Sequence, residues 1–288
     1  YNIYMISDKA IVDWVDKNEG LTLTRFSCNG KDPTNVRYVC LTGDRFILHK
    51  FFNHIYPKIQ TKFHLFIIET DWYFLYQEWL DKDNLEKVFA WNKIVDHPKM
   101  NALPIGINHK RMFESLSTYC IEEKPKQLLL VNFNVKTNPF RKRLLSLLET
   151  KFGNCQSVDF KDYKNEELIE DKSHIEGTIT QQKTTTDYYD ILTGYKFCVS
   201  PFGTGADTHR IWECLYLGVI PIVLTSELDE IYKDLPVLIV KSWDCLNKKY
   251  LQKKYKLINQ RLQDGYYNLD KMDFNYWVNS FQNKILDT

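Results

Sequence analysis

Apolar residues in the first 120 positions follow two alternating patterns, one typical of strands and one typical of helices. Short apolar runs predict strands, and positions spaced three or four apart predict amphipathic helices. The predicted strands are Tyr1–Ser7, Val36–Leu41, Phe63–Ile68 and Leu85–Trp91, and the predicted helices are Ala10–Asn18 and Asp44–Ile59. Strands that alternate with helices favour a parallel sheet with crossover helices.

A polar segment, Ile121–Lys126, interrupts this alternation and predicts a domain boundary. The alternation then resumes. The predicted strands are Leu128–Phe133, Ser157–Phe160, Phe197–Ser200, Val219–Leu224 and Val237–Val240, and the predicted helices are Pro139–Lys151, Asp187–Gly194, Thr208–Leu217, Lys248–Leu262 and Asp270–Leu286. The sequence therefore predicts an α/β protein with two Rossmann-like domains, 1–122 and 123–268, whose sheets face a central cleft. We expect the last helix, in 269–288, to pack back on the first domain.

Composition excludes several classes of protein. The chain has 38 basic and 37 acidic residues, with 44% hydrophobic residues, so neither a disordered chain nor a nucleic-acid partner is expected. The ten-residue apolar stretch Leu215–Leu224 contains Gly218 and Pro221 and is too short to span a bilayer. The seven cysteines are too widely spaced for a zinc site or a disulfide framework, which favours the cytoplasm. The chain does not begin with Met, which leaves open a membrane anchor upstream.

The densest motif lies between two predicted strands, in residues 197–223. Gly203 and Gly205 let the backbone approach a ligand, and we expect Asp207 to cap the following helix. The free N–H groups at that helix start would bind phosphate oxygens. Thr208 occupies the place of the third glycine of the dinucleotide fingerprint, which disfavours a nicotinamide dehydrogenase.

Arg210 and Glu213 lie three residues apart in the same predicted helix and so share a face. A guanidinium suits a diphosphate, and a carboxylate suits the hydroxyls of a ribose. The alternative is a salt bridge on a solvated face. The apolar residues around the pair favour a ligand, because buried charges need a partner.

The sequence of residues 200–223, written Ser-Pro-x-Gly-x-Gly-x-Asp-x-x-Arg-x-Trp-Glu-x-Leu-x-x-Gly-x-x-Pro-Ile-Val, resembles the exostosin-like glycosyltransferases of family 47. Leu103–Ile107, Val131–Asn134, Arg141 and Arg143 extend the resemblance in the order of that family. It implies a GT-B fold, a UDP-sugar donor bound by the C-terminal domain, and inversion at the anomeric carbon. Compact members encoded by large DNA viruses look more similar than the animal ones, which would place the chain in a host cytoplasm.

The resemblance places Glu213 at the ribose, with Arg210 and the Gly203–His209 loop near the diphosphate. Two-sheet transferases can stabilise a departing diphosphate with cationic side chains and helix N-termini, so no metal and no other cofactor is expected. The predicted nucleotide-sugar site is Asn134, Arg141, Ser200, Gly203, Gly205, Asp207, Thr208, His209, Arg210 and Glu213. Alternatively, Arg141 and Arg143 are solvated helix charges, and so is the basic run that begins at Lys248.

Inversion needs a base that accepts the proton of the attacking hydroxyl. The predicted strand Phe63–Ile68 delivers Glu69 and Asp71 to the carboxyl edge of the sheet. We choose Asp71, flanked by Trp72 and Tyr73, which could stack on the sugar of a glycan acceptor.

Glu69 is the alternative base and could instead hold the loop, and both carboxylates could merely cap the next turn. His97 is a further acceptor-side candidate. Two other functions remain open. One is a metal-dependent transferase that uses Asp81 and Asp83 of an Asp-x-Asp sequence, and the other is a non-catalytic carbohydrate-binding or partner subunit. The donor could carry xylose or another UDP-linked sugar.

Overall fold

The structure, a computed structural model, describes residues 4–25, 27–70, 76–93, 96–121, 125, 127–153, 158–160 and 185–286. The described strands are β1 (Leu21–Leu23), β2 (Tyr38–Thr42), β3 (Phe63–Ile68), β4 (Leu85–Trp91), β5 (Met100–Leu103), β6 (Gln127–Val131), β7 (Val158–Phe160), β8 (Tyr195–Val199), β9 (Ile220–Leu224) and β10 (Leu238–Val240). The described α-helices are α1 (Asp8–Lys17), α2 (Arg45–Lys50), α3 (Gln77–Leu80), α4 (His109–Thr118), α5 (Pro139–Phe152), α6 (Thr185–Thr193), α7 (His209–Tyr216), α8 (Asp229–Tyr232), α9 (Lys248–Gln263) and α10 (Phe274–Leu286).

These strands form two parallel sheets. The first has the order β1-β2-β3-β4-β5, and the second has the order β10-β9-β8-β6-β7. Every strand pair in both sheets is parallel. The predicted α/β fold with two parallel sheets in a GT-B arrangement is therefore confirmed. The predicted boundary after residue 122 lies between α4 and β6 in the sequence, and residue 122 is itself outside the described ranges.

The second sheet reverses its strand order beside β6. The chain moves from β6 outward to β7 and then returns to place β8 on the other side of β6. Ligands of open α/β sheets bind at such a switch point, outside the carboxyl ends of the strands. We therefore expect a ligand site among the residues that follow β6 and β8.

Strand β3 is buried along its whole length and supplies two cores. Phe63, Leu65 and Ile67 face one hydrophobic core, whereas Phe66 and Ile68 face a second. That second core also contains residues of the other sheet, so one continuous apolar cluster joins the two halves. A continuous apolar run is what a strand covered on both faces requires.

The last helix lies against the first sheet. The Phe281 ring of α10 is 5.6 Å from the ring of Phe66 and 4.8 Å from that of Phe89, measured between centroids. The chain enters this helix through a 3₁₀ turn, Leu269–Met272, where the Tyr216 hydroxyl of the other half donates to the Met272 carbonyl. Residues 269–286 therefore contact both halves.

The predicted helix over 44–59 is wrong in its second part. The α-helix ends at Lys50 and continues as a π turn, Phe51–Ile55, and then as a 3₁₀ turn that contains Pro57. Proline has no backbone N–H to donate within a helix. Phe46, which the periodicity would bury, is 75% exposed.

Strands β1 and β5, with three and four residues, are not among the strands predicted from the sequence. Among the described residues, no helix is both long and apolar enough to cross a bilayer.

Candidate functional site

The carboxyl edges of the two sheets meet through the loop that follows β8. The backbone N–H of Asp207 donates to Asn92 Oδ1, the residue after β4, over 2.6 Å. The Asp207 carboxylate accepts from the N–H of Ile105, just after β5, at 2.8 Å. The His209 ring nitrogen Nδ1 lies 2.8 Å from the Gly106 carbonyl oxygen. This loop therefore docks on the first sheet.

Asp207 is a buried carboxylate at this junction, with 1% of its surface exposed. It also accepts hydrogen bonds from Trp212 Nε1 at 3.0 Å and from the Tyr232 hydroxyl at 2.8 Å. Burial raises its pKa to about 6, although these hydrogen bonds act in the opposite direction. The predicted helix cap is wrong, because Thr208 is the N-cap of α7 and the Asp207 carboxylate is engaged elsewhere.

The two glycines of the loop have different neighbours. A Cβ on Gly205 would lie 2.3 Å from Nδ2 of Asn92, so this glycine makes room for a side chain of the first sheet. A Cβ on Gly203 would lie 3.3 Å from Nη2 of Arg141. The absence of a side chain at Gly205 therefore lets the Asn92 side chain of the first half approach the loop.

Arg141, in the first turn of α5, ties together the loops that follow β6 and β8. Its guanidinium donates to the carbonyl oxygens of Phe202 at 2.8 Å, Pro201 at 2.9 Å and Asn134 at 3.1 Å. Burial, and then the nearby charge of Arg210, lowers the pKa of Arg141 to about 10. Two guanidinium groups at the switch point therefore repel each other electrostatically.

Arg210 and Glu213 are linked through Tyr188 of α6. The Arg210 guanidinium lies over the Tyr188 ring, 5.6 Å from its centroid, and the Tyr188 hydroxyl donates to Glu213 Oε2 at 2.9 Å. Burial raises the pKa of Tyr188, which keeps its proton on the hydroxyl. The ion pairs found in the described part of the chain do not include an Arg210–Glu213 bridge.

One nitrogen of Arg210, Nη1, is fully buried and has no hydrogen-bond partner among the described residues. A buried donor without a partner costs free energy, and a bound anion would remove that cost. With Arg141 nearby and also partly buried, this corner of the second sheet carries excess positive charge.

Two buried asparagines at the strand ends were not predicted by the sequence. Asn132 follows β6, Asn92 follows β4, and each is 2% exposed. The Asn132 Oδ1 and Asn92 Nδ2 atoms have no partner in the described part of the chain. A polar residue directly after the apolar end of a strand was the available signal. Ser200, which was predicted, occupies the matching position after β8 and is equally buried.

Glu69, the alternative base, lies within the described residues, and its carboxylate is hydrogen-bonded to other residues of the first half. Its Oε2 accepts from the Thr42 hydroxyl at 2.5 Å and from the Arg25 N–H at 3.0 Å, and its φ of 58° marks a sharp turn after β3. Asp71, Trp72 and Tyr73 lie outside the described residues.

His97 does not reach the site. It precedes β5, at the amino edge of the first sheet, where its Nε2 is 3.5 Å from Asp81 Oδ1. Asp81 and Asp83 precede β4 and lie at the same edge. The structure thus separates all three residues from the carboxyl edge. No group of three or more metal-binding side chains occurs among the described residues.

Solved structures similar to this chain include a glycosyltransferase from Rickettsia africae ESF-5, at 10% identity and a TM-score of 0.44, over 97% of this chain and 81% of that one. Another is in the GtfA/B complex, at 12% identity and a TM-score of 0.43, where the match covers 86% of this chain and 57% of the other, little more than half its length. No protein-family model matches this sequence. No curated protein matches it either. The function must therefore be argued from the site.

Proposed function

We propose that this protein is an inverting glycosyltransferase that moves a sugar from a UDP-sugar to a hydroxyl of a glycan acceptor. The observation that carries the proposal is the pair of partly buried guanidinium groups, Arg141 and Arg210, at the switch point of the second sheet, where Arg210 Nη1 has no hydrogen-bond partner among the described residues. An anion would offset the repulsion between these two like charges, and the diphosphate of a nucleotide sugar supplies two negative groups side by side.

The remaining groups suit the rest of a nucleotide. Glu213 is one helical turn from Arg210 and is held by Tyr188, so its carboxylate is oriented to accept hydrogen bonds from a ribose. Asn132 and Ser200 supply buried polar groups at the ends of the two central strands. From the segment 200–213, the proposal takes the two roles that the family resemblance implies for Arg210 at the diphosphate and for Glu213 at the ribose.

In the reaction, the acceptor oxygen forms a bond to the anomeric carbon as the bond from that carbon to the diphosphate oxygen breaks. Negative charge then grows on the leaving diphosphate, and Arg210 would stabilise it. The acceptor proton passes to a base on the opposite side of the sugar. Asp71 is our choice for that base, because Glu69 is already bonded to Thr42 and Arg25.

We propose that the reaction needs no metal, since the two guanidinium groups can balance the diphosphate. Asp81 and Asp83, the carboxylates of the metal-dependent alternative, precede β4 and lie at the far edge of the first sheet. Donor hydrolysis measured with and without EDTA tests this. Loss of activity on chelation would reject the metal-free mechanism.

Binding is tested by calorimetry with UDP and by thermal shift with a panel of nucleotide sugars, UDP-xylose included. A ligand that binds the folded state raises its melting temperature. Arg210→Ala is compared with Arg143→Ala, which removes an exposed guanidinium from α5. UDP binding that is lost only in Arg210→Ala supports the site. Binding of UDP without any turnover would favour the non-catalytic subunit.

A further inference from the structure

Helices α5 and α9 cover the same face of the second sheet. Leu144 and Leu148 of α5 share one hydrophobic core with Leu251 and Ile258 of α9 and with residues of the sheet. The Lys151 ammonium group, near the end of α5, donates to the Asp244 carbonyl just before α9 at 2.7 Å. The outer sides of the two helices therefore belong to one surface, which we call the basic face.

The basic face carries most of the charge asymmetry of the molecule. The two helices contain ten basic residues and one acidic residue, Glu149, against 38 and 37 in the whole chain. The rest of the protein is therefore net negative. The exposed basic residues of this face are Lys142, Arg143, Lys151, Lys248, Lys249, Lys253, Lys256 and Arg261. None of these takes part in an ion pair within the described part of the chain.

Exposed apolar side chains accompany these charges. Five of the ten large hydrophobic residues that are exposed in the described structure lie on α5, on α9 or in the six residues that follow α9. They are Phe140, Leu257, Leu262, Tyr266 and Leu269. A basic surface that merely keeps a protein soluble has no need of such groups, whereas a membrane interface accepts both cations and apolar side chains.

We propose that the basic face binds the surface of a lipid bilayer that contains anionic phospholipids. Charge complementarity supplies the attraction, since each basic residue near such a surface contributes to binding. The interspersed Phe140 and Leu257 favour a bilayer over a nucleic acid or another soluble polyanion, which offers no apolar interior. This binding involves neither the switch point nor a sugar donor, so it is independent of the proposed function.

Vesicle co-sedimentation of the full chain tests the proposal. Vesicles of phosphatidylcholine with about 30% phosphatidylserine should bind the protein, and binding should weaken as salt rises above about 0.15 M, as surface electrostatics require. Pure phosphatidylcholine vesicles should not bind it. Lys249→Gln/Lys253→Gln/Lys256→Gln should lower the partition coefficient roughly a hundredfold, at about fivefold per residue.

The matched control is Lys17→Gln/Lys50→Gln/Lys58→Gln, which makes the same change in net charge at exposed positions of the first half. It should bind like the parent. Leu257→Ser should weaken binding at unchanged charge. The proposal is overturned if the two triple variants lose binding equally, if neutral vesicles bind as well as anionic ones, or if duplex DNA is bound while vesicles are not. Melting temperatures of all variants check that they are folded.

Discussion

Asp207 provides a direct test of the buried junction between the two sheets. Its carboxylate accepts hydrogen bonds from Ile105 of the first half and from Trp212 and Tyr232 of the second. Asp207→Asn keeps the size of the side chain and removes its ionisation. The comparison of parent and variant over a range of pH therefore isolates the free energy of one buried charge.

The magnitude follows from the pKa values. Burial raises the pKa of Asp207 from its ordinary value of 3.8 to about 6 in the folded protein. Between these two values the folded state holds a proton that the unfolded state has released, so stability falls as pH rises. A difference of roughly two units corresponds to about 3 kcal/mol. The parent should lose this amount from about pH 4 to about pH 6, and the asparagine variant should not.

Urea unfolding at a series of pH values measures the effect as the difference in unfolding free energy between parent and Asp207→Asn. Tyr232→Phe gives an independent check. Its hydroxyl lowers the pKa of Asp207, so its removal should move the loss of stability to higher pH. Parallel pH profiles for the parent and Asp207→Asn would refute the assignment of a buried, ionisable junction.

Three further predictions concern the loop and the site. Arg210→Ala and Glu213→Gln should each weaken UDP binding in calorimetry by roughly ten- to a hundredfold; unchanged affinity with much earlier melting would make them a structural pair. Gly205→Ala should lower the free energy of unfolding in urea by about 1–3 kcal/mol, because its Cβ meets the Asn92 side chain, and Asn92→Ala in the same chain should restore much of it. Asp71→Asn should abolish transfer at unchanged UDP affinity and melting temperature; substantial remaining activity would exclude Asp71 as the base.

The sequence predicts long buried elements well, because their pattern is set by local burial. Strands β3 and β4 begin and end where the predicted strands Phe63–Ile68 and Leu85–Trp91 do. The helix that begins at Arg45 shows the limit of this reasoning. Its periodicity continues through Phe51 and Ile55, but the backbone changes to a π turn there, which hydrophobic spacing does not reveal.

The site is less predictable, because its contacts join residues far apart in the chain. The spacing of Arg210 and Glu213 places them on one helical face from sequence alone. The orientation of Gly205, Asp207 and His209 toward the first sheet depends on partners more than 100 residues away. No local pattern encodes those partners, so the prediction assigned these residues to the ligand.

The loop after β8 therefore combines two kinds of constraint within a few residues. The loop contacts the first sheet through Gly205, Asp207 and His209. The next residue, Arg210, is one of the two guanidinium groups at the switch point of the second sheet. Because His209 and Arg210 are adjacent in the first turn of α7, that helix cannot move toward a bound anion without changing the contact with Gly106. A dense sequence motif can therefore arise from close contacts between two halves of a protein as well as from ligand binding.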